Sequence, residues 1–155
     1  MRQSFSMPDF AQRLPIAQYR IAPAIDPLSD KNKPLDRSYV IGVPEKCKID
    51  PGRPVLTQVS RFDRFKDPLG VIDAYRMVKK RYRCQLVLAG GGAADDPEGE
   101  EVLREVQEAA DDPDIHVLLL PPFSDLEINA LVRGSTVVGR RRQPGRAVIG
   151  RPQAA

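Results

Sequence analysis

The sequence predicts an α/β fold in which parallel strands alternate with helices, and three observations point to it. Short β-branched apolar runs recur without polar alternation, as strands buried on both faces require. Between them lie segments whose apolar residues repeat at helical spacing. Where one pattern gives way to the other, capping residues and prolines mark helix starts. With 155 residues, the chain is long enough for one domain with its own core and too short for two full α/β domains.

Residues 1–37 contain Pro8, Pro15, Pro23, Pro27 and Pro34 among polar residues and are expected to be an extended connector, with a turn at Pro27-Leu28-Ser29-Asp30. A short helix is expected over Ser38 to Lys48 on the strength of Tyr39, Val40, Val43 and Lys46, with Pro44 disturbing it by removing a donor. Pro54 to Ser60 (PVLTQVS) is the first strand. Asp67-Pro68 opens a helix, Asp67 as N-cap and Pro68 in the first turn, with Val71, Ile72, Tyr75, Val78 and Tyr82 on its apolar face.

Gln85 to Ala89 (QLVLA) is the second strand and ends in Gly90-Gly91-Gly92. A helix over Pro97 to Ala110 buries Val102, Leu103, Val106 and Ala110 and gathers acids at its N-terminal end, where the helix dipole favours them. Ile115 to Leu120 is the third strand. Ser124 and Glu127 have capping-box spacing ahead of a helix running to about Arg133, and Thr136 to Val138 begins a fourth strand. Alternation of this kind predicts right-handed crossovers and a partial Rossmann-like sheet. Three regions follow: 1–50, a connector and the end of a preceding domain; 51–138, the partial Rossmann-like domain; and 139–155, a basic tail expected to be disordered. The abrupt change to GRRRQPGRAVIGRPQAA also matches what out-of-frame translation of a GC-rich gene would give.

Charge is unevenly placed. The formal net charge is +3, but residues 140–155 hold five arginines and no acid, leaving 19 basic against 21 acidic residues elsewhere. The body of the chain is therefore slightly acidic, and nucleic acid is not its expected partner. No apolar run approaches the roughly 18 residues that a bilayer-spanning helix needs. The N-terminus has no apolar signal core. Cys47 and Cys84 lack metal or redox spacing, so reduced thiols in the cytoplasm are expected.

Chemistry concentrates between the first strand and its helix, at Ser60-Arg61-Phe62-Asp63-Arg64-Phe65-Lys66-Asp67-Pro68. Open α/β sheets bind ligands at the carboxyl ends of their strands, beside helix N-termini that attract anions. There Arg61 offers a planar fork to phosphate oxygens and Lys66 a point charge, a pair suited to a diphosphate. Ser60, Arg64, Gly90 and Gly91 are weaker candidates. The same charges also read as a solvated, self-paired loop, and Gly90-Gly91-Gly92 as a flexible turn. His116, between apolar neighbours, reads as a structural or edge histidine, and Asp95, Asp96, Glu98, Glu100 and Glu101 as a loop and helix start rather than a metal cluster.

The run VSRFDRFKDPLGVIDAYR, in which an Arg is followed five residues later by a Lys, resembles the donor motif of the retaining glycosyltransferase family 4. Together with AIDPLSDKN, DDPEGEEV, DPDIHVLLL and EINALVRGSTVV, it resembles the trehalose glycosyltransferring synthases within that family, over roughly residues 4 to 138. The resemblance implies a two-domain fold, of which this chain holds the first strands and helices of the C-terminal donor-binding domain. It implies that a nucleoside diphosphate glucose is the donor and glucose the acceptor, that trehalose is the product, that no cofactor or metal is used, and that Arg61 and Lys66 hold the donor diphosphate.

The family continues past such a fourth strand into a segment with two glutamates, eight positions apart, that contact donor sugar and ribose. Here GRRRQPGRAVIG stands instead. The expectation is therefore a truncated or frameshifted fragment, inactive alone, whose unfinished sheet edge at Val138 invites self-association. The alternative is a non-catalytic module that binds nucleic acid through its basic tail.

Overall fold

The computed structural model describes residues 24–91, 97–142 and 146–150, the side chains from residue 140 onward excepted. Helix α1 (Arg37–Lys46) is followed by strand β1 (Val55–Val59), helix α2 (Pro68–Lys79) and strand β2 (Gln85–Gly90). Helix α3 (Pro97–Ala109), strand β3 (Ile115–Leu119) and helix α4 (Asp125–Gly134) come next, and strands β4 (Val137–Arg142) and β5 (Arg146–Gly150) close the series. The sheet order is β3-β2-β1-β4-β5. Pairing is parallel from β3 through β4, with Val55 opposite Gln85 and Leu56 opposite Val137, and antiparallel between β4 and β5.

The unbroken apolar reading of β2 has its cause in this order. Successive side chains point to opposite faces of a strand, so Leu86 and Leu88 enter one core with Ile72, Tyr75, Val102, Val106 and Phe62. Val87 and Ala89 enter another with Val43, Ile49, Val55, Ala130 and Leu131. Helices α2 and α3 cover the first face, α1 and α4 the second. The Tyr75 hydroxyl, buried in the first core, donates to the Cys84 carbonyl at 3.1 Å, which satisfies the one polar atom of a large apolar side chain.

At the amino ends of the strands an ionic cluster joins three elements. Arg53 lies 2.6 Å from Asp114, and Lys79 lies 2.9 Å from Asp114 and 2.6 Å from Asp112. The hydrogen bond from Arg53, then that from Lys79, pulls the Asp114 carboxyl down to a pKa of about 2. Lys79 likewise holds Asp112 below the ordinary carboxylate range.

Several expectations need correction. Tyr82 lies beyond the end of α2 and is exposed, so only Ile72 and Tyr75 of the expected face are fully buried. The Ser124–Glu127 capping box does not form: the Ser124 side chain makes no cap hydrogen bond, and its hydroxyl donates instead to the Pro121 carbonyl at 2.8 Å. Helix α1 forms despite Pro44, which falls near its C-terminal end. Gly134 of α4 lies beside it: a Cβ there would be in ordinary contact, at 3.5 Å, with Pro44 Cγ and the Val40 carbonyl.

The described part of the connector is folded back on the domain rather than extended. Asp26 accepts from Leu28 N–H at 2.9 Å and opens a turn through Asn32. The buried Asn129 of α4 donates to the carbonyls of Asp30 and Lys33, both at 2.9 Å, while Arg133 Nε donates to Asn129 Oδ1 at 2.8 Å. Residues 139–142 and 146–150, expected within a disordered tail, are instead paired as parts of β4 and β5, so Val138 is opposed by Gly150 and does not end the sheet as an open edge. The sequence signals passed over there are the β-branched pair Val148-Ile149 and the turn-favouring Pro144-Gly145 between the two strands; residues 143–145, and the remainder of the tail at 151–155, lie outside the described residues.

Candidate functional site

β1 ends at Val59, and Ser60 continues its ladder by donating to the Ala89 carbonyl at 3.0 Å. From there the chain leaves the sheet as a strap. Asp63 closes a 3-10 turn over Arg64–Lys66, its Oδ1 accepting from Lys66 N–H at 2.9 Å. The buried Gln58 of β1 donates to the Lys66 carbonyl at 2.8 Å. Asp67 then turns into the left-handed region, φ 47°, and caps α2 by accepting from Gly70 N–H at 3.3 Å, with Pro68 in the first turn as its missing donor allows. A Cβ on Gly70 would lie 2.2 Å from Asp67 Oδ2, so the capping side chain would have to shift to admit one.

Arg61 stands at the mouth of this strap with its side chain 72% exposed, 3.3 Å from Asp63 Oδ2. It lines an open groove of about 600 Å³ together with Gly91, the segment from Leu119 to Asp125, and Ile128. Phe123 in that segment has φ 68° and is almost wholly exposed. Lys66 is exposed on the same strap and forms no ion pair among the described residues. It does not line the groove.

The weaker candidates separate in the structure. Arg64 faces α3, with Glu98, Glu101 and Glu105 at 3.6, 3.3 and 3.4 Å. Glu105 first, and Glu101 after it, raise the pKa of its guanidinium. It is a clamp between strap and helix, which also accounts for part of the acidic run at the start of α3. Gly90 is the buried last residue of β2 rather than a flexible turn, and a Cβ there would sit 1.9 Å from the Ser60 carbonyl oxygen. Ser60 is half-buried beneath that contact. Gly92, Asp95 and Asp96 lie outside the described residues.

His116 pairs with Val87 in β3, and burial lowers its pKa. Both cysteines are free thiols whose pKa burial raises. Among the described residues no three His, Cys, Asp or Glu side chains gather as a metal site, and no helix is long and apolar enough to cross a membrane. Sequence reading missed Gln58 and Asp63. A lone amide inside PVLTQVS was the available signal for the first.

No family model matches the chain. A trehalose synthase from Rubrobacter xylanophilus is 48% identical over 121 residues, 76% of this chain and 29% of the relative. Over that stretch this chain is similar to the trehalose synthases. Those from Thermococcus litoralis and Pyrococcus horikoshii are 45% and 43% identical over 122 residues, in each case 75% of this chain and 29% of theirs. The chain thus spans less than a third of the length of these relatives. A solved structure, sucrose-phosphate synthase from Thermosynechococcus elongatus, superimposes on 63% of this chain and 24% of its own at 21% identity, with a TM-score of 0.48.

Proposed function

We propose that this chain carries the diphosphate-binding wall of a trehalose-synthase-like glycosyltransferase, in which glucose passes from a nucleoside diphosphate glucose to glucose. The observation that carries the reading is the strap at the carboxyl end of β1. It presents Arg61 to an open groove and Lys66 to solvent on the same strap, where strand ends and helix N-termini together favour anions. Arg61 grips phosphate oxygens with its fork and Lys66 adds charge, so both stabilise the leaving nucleoside diphosphate as its charge grows. The donor sugar nucleotide is a substrate, and the proposed chemistry calls on no cofactor.

Transfer needs groups aimed at sugar and acceptor as well as at phosphate. With the strap open to water, each charge contact is weakened by the high dielectric. The 155-residue chain alone is therefore expected to bind a nucleoside diphosphate no more tightly than roughly millimolar and to form no trehalose. Titration with a nucleoside diphosphate, followed by amide chemical shifts, tests this: binding that disappears in Arg61→Ala supports the reading, and binding retained in that variant sinks it. No observation favours the alternative of a basic nucleic-acid-binding module.

A further inference from the structure

Gln58 is 4% exposed in the middle of a strand flanked by β2 and β4. Alternation puts it on the same face as Leu56, which packs against the apolar core under α2 and α3. A carboxamide there costs free energy unless its polar atoms find partners, and a methionine or leucine would fill the same space without that cost. Its one described role is to hold the Lys66 carbonyl at 2.8 Å, eight residues further along the chain. Asp63 holds the Lys66 N–H from the other side at 2.9 Å. The Lys66 backbone is thus fixed at both of its polar atoms, immediately before the left-handed Asp67.

We propose that Gln58 is a positioning residue for Lys66, setting from inside the sheet where the Lys66 ammonium meets the diphosphate. This rests on the reading of Lys66 given above. It assigns the buried amide of the strand to ligand binding rather than to the stability of the sheet. A role of that kind acts through one residue and vanishes when that residue is removed.

The test is a double-mutant cycle on the full chain, with inorganic pyrophosphate as the probe and dissociation constants read from amide shifts at a temperature where every variant is folded. Gln58→Met is expected to weaken pyrophosphate binding about fivefold, the worth of roughly one hydrogen bond, and to have no further effect in a Lys66→Ala background. Gln58→Leu, which removes both polar atoms, is expected to cost as much and is read in the same way should Gln58→Met not fold.

In the unaltered chain the Gln58 side-chain amide resonances should shift as pyrophosphate saturates the site. Equal losses from Gln58→Met with and without Lys66, unchanged affinity in either Gln58 variant, or unmoved side-chain amide signals would each overturn the proposal. If Lys66→Ala itself leaves affinity intact, the reading of Lys66 fails and this inference with it. If only the Gln58 variants are silent, the diphosphate reading stands alone.

Discussion

Replacing Gly90 with alanine perturbs the molecule at one atom, and the consequence follows from the close approach of two strand ends. The new Cβ would lie 1.9 Å from the Ser60 carbonyl oxygen, 3.0 Å from the Ser60 carbonyl carbon and 3.4 Å from Phe62 Cε2. Ordinary contact requires about 3.5 Å, so the ends of β1 and β2 must separate by more than 1 Å. No rotamer change relieves this, because the obstacle is backbone. Separation strains the Ser60 N–H to Ala89 hydrogen bond, at 3.0 Å.

Overpacking of a close-packed interior costs about 1–3 kcal/mol, and a clash with backbone belongs at the upper end. With a urea dependence of about 1–3 kcal/mol per molar, the unfolding midpoint of Gly90→Ala should fall by roughly 1–2 M. Ser60 leads directly into Arg61, so pyrophosphate affinity should fall as well, even at temperatures where the variant is fully folded. Urea titration followed by circular dichroism gives the first quantity and amide-shift titration the second. A midpoint within about 0.3 M of the unaltered chain would refute the close-approach argument, and a displaced midpoint with unchanged affinity would refute the link from Gly90 to the strap.

Two further outcomes are expected. The Asp114 carboxyl has a folded pKa of about 2 against an ordinary value of 3.8, so its ion pairs stabilise the fold fully above the unfolded value and are lost as pH falls toward the folded one; Asp114→Asn should be less stable than the unaltered chain at pH 7, with the difference in thermal midpoint closing between about pH 4 and 2. Arg64→Ala should lower the thermal midpoint at low salt, with the difference shrinking as salt screens the pairs to Glu98, Glu101 and Glu105, and should leave pyrophosphate affinity unchanged; a loss of affinity would return Arg64 to the phosphate ligands.

The parts of the fold legible in the sequence were those written in local chemistry. Asp67-Pro68 announced the start of α2, and the Asp67 cap is there. PVLTQVS announced a buried parallel strand, and β1 pairs in parallel with both of its neighbours. What escaped was decided by three-dimensional geometry that spacing along the chain does not encode. Ser124 and Glu127 have capping-box spacing, but the Ser124 side chain makes no cap hydrogen bond. Arg64 looked like an anion ligand until the fold laid three carboxylates of α3 beside it. Gln58 and Asn129 carry no local signal beyond being amides among apolar residues, since the carbonyls they serve lie in loops that only the tertiary fold brings close.

The hold of Asn129 and Arg133 on the turn at Asp30–Lys33 gives the molecule a defined response to tension. A pull applied at residue 24 reaches those few hydrogen bonds before it reaches any strand of the sheet, and bonds that few can be unfastened while the paired strands stay whole. The turn therefore works as a mechanical fuse. Under stretching in an optical trap it should yield first, as a small reversible lengthening at low force, with the rupture of the sheet following as a separate and larger event.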